Sequence, residues 1–282
     1  MREPDVIAAL KAPASVEAPV AGEPDDRPVR LDAFYGGAFA VLQPKGWGYR
    51  SGLDALLLAA AVPAETSGRI ADLGAGSGVV GLAAAVRAPA SHVTLVEAEP
   101  VMAALCRRSL ALAENAPLAP RLAVAHVDIA DRRAAREAAG LTDGAFDLVL
   151  TNPPFHPANH RRPPDPVRER ALFPAADIPL DRWLAVAAAL LLPRGRLVTV
   201  LRADLLGEAL AALQARLGAL AILPVHTRAG APAERIVVAA RKGTRAPLRL
   251  LEGIALADGA GHPSDLADRV SAGTAELPQL FA

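Results

Sequence analysis

Arg69-Ile70-Ala71-Asp72-Leu73-Gly74-Ala75-Gly76-Ser77-Gly78-Val79-Val80-Gly81-Leu82 sets the architecture of this 282-residue chain. The run 69–73 reads as a strand, and 79–87 follows as an apolar helix. Between them the glycines recur as G-x-G-x-G. Glycine takes positive φ without strain and lets another group approach the backbone closely. The helix beyond opens with N–H groups that have no partner in their own helix. The spacing is not the G-x-G-x-x-G of dinucleotide-binding sheets. No Gly-Lys-Ser/Thr follows either, so it is not a P-loop. A merely tight turn would use the same glycines, so this unit establishes strand, turn and helix before it establishes a ligand.

Working outward, the alternation continues. Strands are expected over 92–97, 121–127, 146–151, 196–201, 219–225 and 235–241. Helices are expected over 101–114, 132–139, 180–192 and 205–217. Strands alternating with helices predict an α/β fold, a doubly wound, mostly parallel sheet covered on both faces. Val, Leu and Ile dominate the strands, as burial on two sides requires. Right-handed crossovers place every strand-to-helix loop on one edge, where ligands of such sheets bind. Asp72 to Gly78, Glu97, Asp128 and Asn152 all fall at strand ends on that edge.

Upstream, 31–43 looks structured, a Gly- and Lys-containing loop follows at 44–50, and Ser51-Gly52-Leu53-Asp54 opens an apolar helix over 55–62. The organisation expected is a disordered leader over 1–28, an N-terminal cap segment over 29–66, a catalytic domain over 67–245 and a C-terminal extension over 246–282. Aromatics are only 4% of the chain, so the core must be built from Leu, Val and Ala. Lysine plus arginine balance aspartate plus glutamate at 30 each, so any nucleic-acid contact depends on a local patch and not on net charge. Cys106 is the single cysteine, which rules out an intramolecular disulfide and fits a reducing, cytoplasmic compartment. The first ten residues lack a signal-peptide pattern, and no apolar run reaches the roughly 20 residues that span a bilayer. His156 and His160 lie among prolines, and HExxH and CxxC are absent, so no metal is expected.

Thr151-Asn152-Pro153-Pro154-Phe155 closes the expected strand over 146–151. Two prolines fix φ and remove donors, and each restricts the residue before it to extended geometry. The result is a stiff corner with free carbonyls beside a carboxamide. An amino group on a planar ring can donate to the Asn152 oxygen and to the Pro153 carbonyl, with Phe155 stacked on the ring. Glu97, 19 residues past Gly78, can accept both hydroxyls of a ribose; Glu99 beside it reads as a surface acid. Asp128 can accept from an adenine amine, or can cap the following helix. Asp54 lies at a helix start, where capping is again an alternative. Arg161, Arg162, Arg168 and Arg170 follow the corner, either as a solvated face or as phosphate contacts.

Asp72-Leu73-Gly74-Ala75-Gly76-Ser77-Gly78 together with Asn152-Pro153-Pro154-Phe155 resembles the S-adenosylmethionine-dependent methyltransferases that modify amino groups, over roughly residues 32–242. Arg50-Ser51-Gly52-Leu53-Asp54-Ala55-Leu56-Leu57-Leu58, Arg168-Glu169-Arg170-Ala171 and Glu234-Arg235-Ile236-Val237-Val238 are similar to segments of bacterial tRNA (adenine-N6)-methyltransferases. The resemblance implies a seven-stranded class I, Rossmann-like sheet with its last strand antiparallel. It implies S-adenosylmethionine held by Asp72, Gly74, Gly76, Glu97 and Asp128, with Asp54 and Asn152 also at the cofactor. Asn152, Pro153 and Phe155 would act on the substrate amine. The implied partner is RNA, most simply tRNA. Asn-Pro-Pro-Phe-His is also similar to ribosomal RNA guanine-N2 methyltransferases. Protein glutamine-N5 methyltransferases share the Asn-Pro-Pro-aromatic corner, since a side-chain amide is planar too. The family's aromatic is often Tyr, so Phe155 keeps stacking and loses a hydroxyl.

Overall fold

The computed structural model describes residues 27–154, 164–172 and 178–282. Most of the expected leader, together with Phe155, His156, His160, Arg161 and Arg162, lies outside the described residues. The chain begins with an antiparallel hairpin, β1 (Val29–Phe34) and β2 (Phe39–Pro44). Helix α1 (Leu53–Ala60) leads into β3 (Gly68–Leu73), α2 (Val79–Arg87), β4 (Ser91–Glu97), α3 (Pro100–Leu110), β5 (Leu122–His126) and α4 (Arg133–Ala138). Then come β6 (Phe146–Thr151), α5 (Pro166–Leu172), α6 (Leu180–Leu190), β7 (Leu191–Arg202), α7 (Leu206–Gln214), β8 (Gly218–His226) and β9 (Ala233–Arg241). Two short strands, β10 (Arg249–Leu250) and β11 (Ile254–Ala255), and helix α8 (Asp265–Ala272) complete it.

The seven long strands of the sheet lie in the order β8-β9-β7-β6-β3-β4-β5. All pairs are parallel except those of β9, which runs antiparallel to both β7 and β8. The expected α/β sheet with an antiparallel last strand is therefore present. β10 and β11 add parallel pairings on β8 and widen the sheet to nine strands. β7 starts five residues earlier than the 196–201 expected, because α6 runs straight into it and a register shift against β6 absorbs Pro193 to Gly195.

Side chains alternate between two cores, as a strand's period of two demands. On β6, Leu148 and Leu150 join the cluster built with α1, α2 and the C-terminal residues Val270 and Leu280, while Val149 joins the cluster built with α6 and α7. The glycine at 81 inside α2 serves this packing: a Cβ there would lie 2.6 Å from Leu95 Cδ2. Helix and strand can approach this closely only without a side chain.

The hairpin is fastened by buried polar groups. Asn115 Oδ1 accepts from Ala40 N at 3.0 Å, and Ser109 Oγ accepts from Leu42 N at 3.0 Å, so the free edge of β2 is satisfied by side chains. Asp32, 1% exposed, pairs with Arg30 Nε and Arg50 Nη2, each at 2.8 Å, and accepts from Gln43 Nε2 at 2.9 Å. Gln43 Oε1 in turn accepts from Ser51 N at 2.8 Å. This network sets the course of the 45–52 loop. Among the described residues no helix is long and apolar enough to cross a membrane.

Candidate active site

The order of strands brings the glycine turn and the diproline corner together. β3 and β6 are neighbours, with Leu73 opposite Thr151. Successive strands leave β3 toward one side of the sheet and β6 toward the other, and a crevice opens at such a switch point. Thr151, fully buried, donates from Oγ1 to Leu73 O at 2.9 Å and accepts from Trp183 Nε1 at 2.9 Å. The Trp183 ring lies 3.5 Å from where a Cβ on Gly74 would stand, and Asn152 O lies 4.0 Å from the same point. One indole thus braces the ends of both strands.

In the turn, Gly74, Gly76 and Gly78 have φ of 78°, 57° and 101°. Gly74 N and Ala75 N both donate to Val96 O, at 3.0 and 2.9 Å, fixing the turn to β4. Glu97 completes the brace. Its Oε2 accepts from Gly76 N and its Oε1 from Glu99 N, both at 2.8 Å. A carboxylate has about four acceptor sites, so Glu97, which lines the cleft, can still accept from a ligand. Burial pushes the Glu97 carboxyl up, and the backbone donors from Glu99 and Gly76 pull it partly back.

Asp72 is 1% exposed, and its Oδ2 accepts from Gly81 N at 2.9 Å. Burial pushes this carboxyl up to about 7, with the Gly81 donor opposing and the Glu97 charge adding to the rise. Asp128 Oδ1 accepts from Ala130 N at 2.8 Å and makes a local turn. It does not cap α4, whose N-cap position is Arg132. Asp54 is not the cap of α1 either, since that position is Gly52. Its carboxylate lies in the helix's first turn, 3.2 Å from Arg235 Nε on β9. Asn152 is partly exposed, and its carboxamide has no hydrogen-bond partner among the described residues.

A single cleft of about 370 Å³ gathers these groups: Asp54, Asp72, Gly74, Gly76, Glu97, Asp128, Asn152 and Pro153 all line it. Phe155 lies outside the described residues, as do Arg161, Arg162 and the side chain of Arg170. Arg168 is exposed on α5. The cleft also holds Tyr49, Trp183, Arg202 and Arg235, to which sequence reasoning gave no site role. Trp183 read as part of an apolar helix face, and Tyr49 as a loop residue. Burial pushes the Tyr49 phenol up to about 12, with Asp54 adding to the rise, so it stays protonated. Arg202 grips Asp204 through two bonds, at 3.0 and 2.9 Å.

The cleft is lined by the acids Asp54, Asp72, Glu97 and Asp128 and by the glycine turn, groups whose acceptors suit the amino and hydroxyl donors of S-adenosylmethionine. Among the described residues no cluster of His, Cys, Asp and Glu is arranged to hold a metal.

The sequence profile of the methyltransferase small domain matches residues 51–226. The chain belongs to this family, whose cofactor is S-adenosylmethionine. A tRNA1(Val) (adenine(37)-N6)-methyltransferase of Porphyromonas gingivalis is 32% identical over 168 residues, 58% of this chain and 62% of that protein. One from Serratia proteamaculans is 31% identical over 192 residues, 67% of this chain and 69% of that protein. The chain thus spans about 62% of the length of the P. gingivalis relative. A solved structure, a predicted O-methyltransferase from Agrobacterium tumefaciens, shares 34% identity and superposes with a TM-score of 0.67 over 79% of this chain and 98% of that one.

Proposed function

We propose that this protein transfers a methyl group from S-adenosylmethionine to the exocyclic amine of an RNA base, adenine N6 of a tRNA. The observation that carries the reading is the Asn152–Pro153 corner. A carboxamide with no partner among the described residues lies beside a buried proline, on the same rim as the glycine turn. The bacterial relatives that match most of the chain are named for this reaction on tRNA1(Val), which supports adenine and tRNA as the target.

Bound S-adenosylmethionine supplies an electrophilic methyl group on a positively charged sulfur. The protein's part is position and electrostatics. A purine's exocyclic nitrogen is a poor nucleophile because its lone pair is delocalised into the ring. The Asn152 oxygen and the Pro153 carbonyl accept its two hydrogens, favour a pyramidal nitrogen, and stabilise the positive charge that grows there. The rigid corner holds the nitrogen in line with the methyl group. No strong base is needed, because the N–H acidity rises as the new bond forms. Phe155 stacks on the base, a contact worth about 1–3 kcal/mol, and offsets part of the cost of unstacking it. Arg161, Arg162, Arg168 and Arg170 contact the phosphates flanking the base.

The decisive experiment is genetic. Delete the gene, digest the tRNA and ribosomal RNA pools, and quantify methylated nucleosides by mass spectrometry. Loss of N6-methyladenosine from tRNA is expected. Loss of N2-methylguanosine from ribosomal RNA instead would move the target to guanine. A second reading has its own support: a release factor glutamine methyltransferase of Bifidobacterium longum is 42% identical over 89 residues, 31% of this chain. Unchanged RNA nucleosides together with an unmethylated glutamine in a protein pool would select it.

A further inference from the structure

Strands β7 and β9 carry two arginine pairs, one toward each end of their ladder. Arg202 stands directly opposite Arg235, and Arg196 directly opposite Arg241. Like charges facing each other across neighbouring strands repel. At the active-site end the repulsion is answered. Asp204 takes Arg202 in two hydrogen bonds, and Asp54 lies 3.2 Å from Arg235. At the other end no ion pair among the described residues answers it. No carboxylate oxygen of a described residue comes within 4.0 Å of Arg194, Arg196 or Arg241.

The three arginines line one cavity of about 370 Å³ under the 63–67 turn, at the edge of the sheet away from the catalytic cleft. Arg196 is partly buried. Its Cζ sits 4.6 Å from the ring centroid of Phe281, and its guanidinium makes no hydrogen bond to a described residue. Arg241 gives one N–H to Arg194 O at 3.3 Å and keeps the rest. Two carboxylates share the cavity. Asp147 is occupied, its Oδ2 accepting from Arg69 N at 2.8 Å. Glu65 is exposed and acts on Arg196 only from beyond ion-pair distance. Burial, and then the neighbouring Arg241, disfavour the charge on Arg196, and Glu65 opposes them only in part.

We propose that this cavity is a binding site for a phosphate group, held by the guanidinium donors of Arg196 and Arg241 with Arg194 at its mouth. A planar fork of N–H donors matches a phosphate's oxygens. The volume falls within the range of about 300–1,000 Å³ typical of small-ligand sites, so a phosphate ester fits as well as the free ion. The same chemistry is carried by a phosphodiester of the RNA backbone. The site does not depend on the methyltransferase reading above.

The test uses the full chain at low ionic strength. Inorganic phosphate is titrated calorimetrically, with chloride as the control anion. Saturable binding is expected, weakened at least tenfold by Arg196→Gln and by Arg241→Gln. These changes relieve repulsion and are expected to fold; Arg196→Lys and Arg194→Gln replace them if they do not. A second arm follows binding of an unmodified tRNA transcript against salt. If the RNA backbone is the source, each variant lowers the slope of log K against log salt by about 0.7–0.9 per lost contact. Lost phosphate binding with an unchanged slope identifies a free phosphate ester. No saturable phosphate binding by the native chain, together with an unaltered salt slope in the variants, overturns the site. S-adenosylhomocysteine affinity should not change in any variant, so failure here is distinct from failure of the catalytic reading.

Discussion

Three side chains that line the cleft give tests at the residue scale. Asn152 lines the cleft and its carboxamide has no hydrogen-bond partner among the described residues; on the proposed function, Asn152→Ala should cut methyl transfer by about 100-fold or more, the scale of losing one preorganised hydrogen-bonding group. S-adenosylhomocysteine binding should survive, and near-native turnover in that variant would remove Asn152 from the chemistry. Glu97 both braces the turn through Gly76 and faces the cleft. Glu97→Ala is therefore expected to weaken S-adenosylhomocysteine in calorimetry, and unaltered affinity would reject the ribose assignment. Asp72 gives a pH signature. Its carboxyl lies at about 7 in the fold against an ordinary 3.8, so the folded chain binds the proton more tightly than the unfolded chain. Its contribution to stability is full below the ordinary value and is lost as pH rises through about 7. Glu97 is shifted in the same direction. Urea midpoints of the apo-protein should fall between about pH 4 and 7. Asp72→Asn should flatten that slope and leave the part owed to Glu97.

Elements were legible wherever periodicity was strong. The strand over 146–151 matches β6 at both ends, and the helix over 79–87 matches α2, because each is a short apolar run bounded by a turn signal. Ends were less legible where no such signal stands. The helix expected over 101–114 stops at Leu110, and a separate short turn follows at Ala113–Asn115 so that Asn115 can serve β2. The interior of α2 holds a packing test. Gly81→Ala would drive a methyl to within 2.6 Å of Leu95 Cδ2 and crowd Asp72 at 3.3 Å. Overpacking of this kind costs about 1–3 kcal/mol, readable as a lowered urea midpoint. An unchanged midpoint would mean that the helix can move off the sheet. On α6, Trp183→Phe keeps an aromatic ring against the turn but removes the hydrogen bond to buried Thr151. Thr151 Oγ1 still donates to Leu73 O, so a loss of about 0.5–1.5 kcal/mol is expected from the missing hydrogen bond, together with slower methyl transfer as the two loops lose their common brace.

At the level of the molecule, the hairpin holds the loop behind it, and that loop and the sheet line the cleft. Asp32 joins Arg30, Arg50 and Gln43, and Gln43 holds Ser51, which lines the cleft. Asp32→Ala leaves these donors without their acceptor at a position 1% exposed. It should lower stability by about 1–3 kcal/mol and loosen the 45–52 loop, so that cofactor affinity falls although the substitution touches no cleft atom. Unaltered affinity with reduced stability would show that the hairpin is structural only.

Local pattern was enough to read seven strands, their two-sided burial, the glycine turn and the diproline corner, because the period of apolar residues reports which faces are covered. It could not say which strands are neighbours, nor bring Asp54 to Arg235 across 181 residues of chain, nor set Trp183 beneath Gly74 and Thr151. Those contacts join segments remote along the chain. They exist only once the crossovers have stacked helices on the sheet and packing has chosen the partner of each buried polar group.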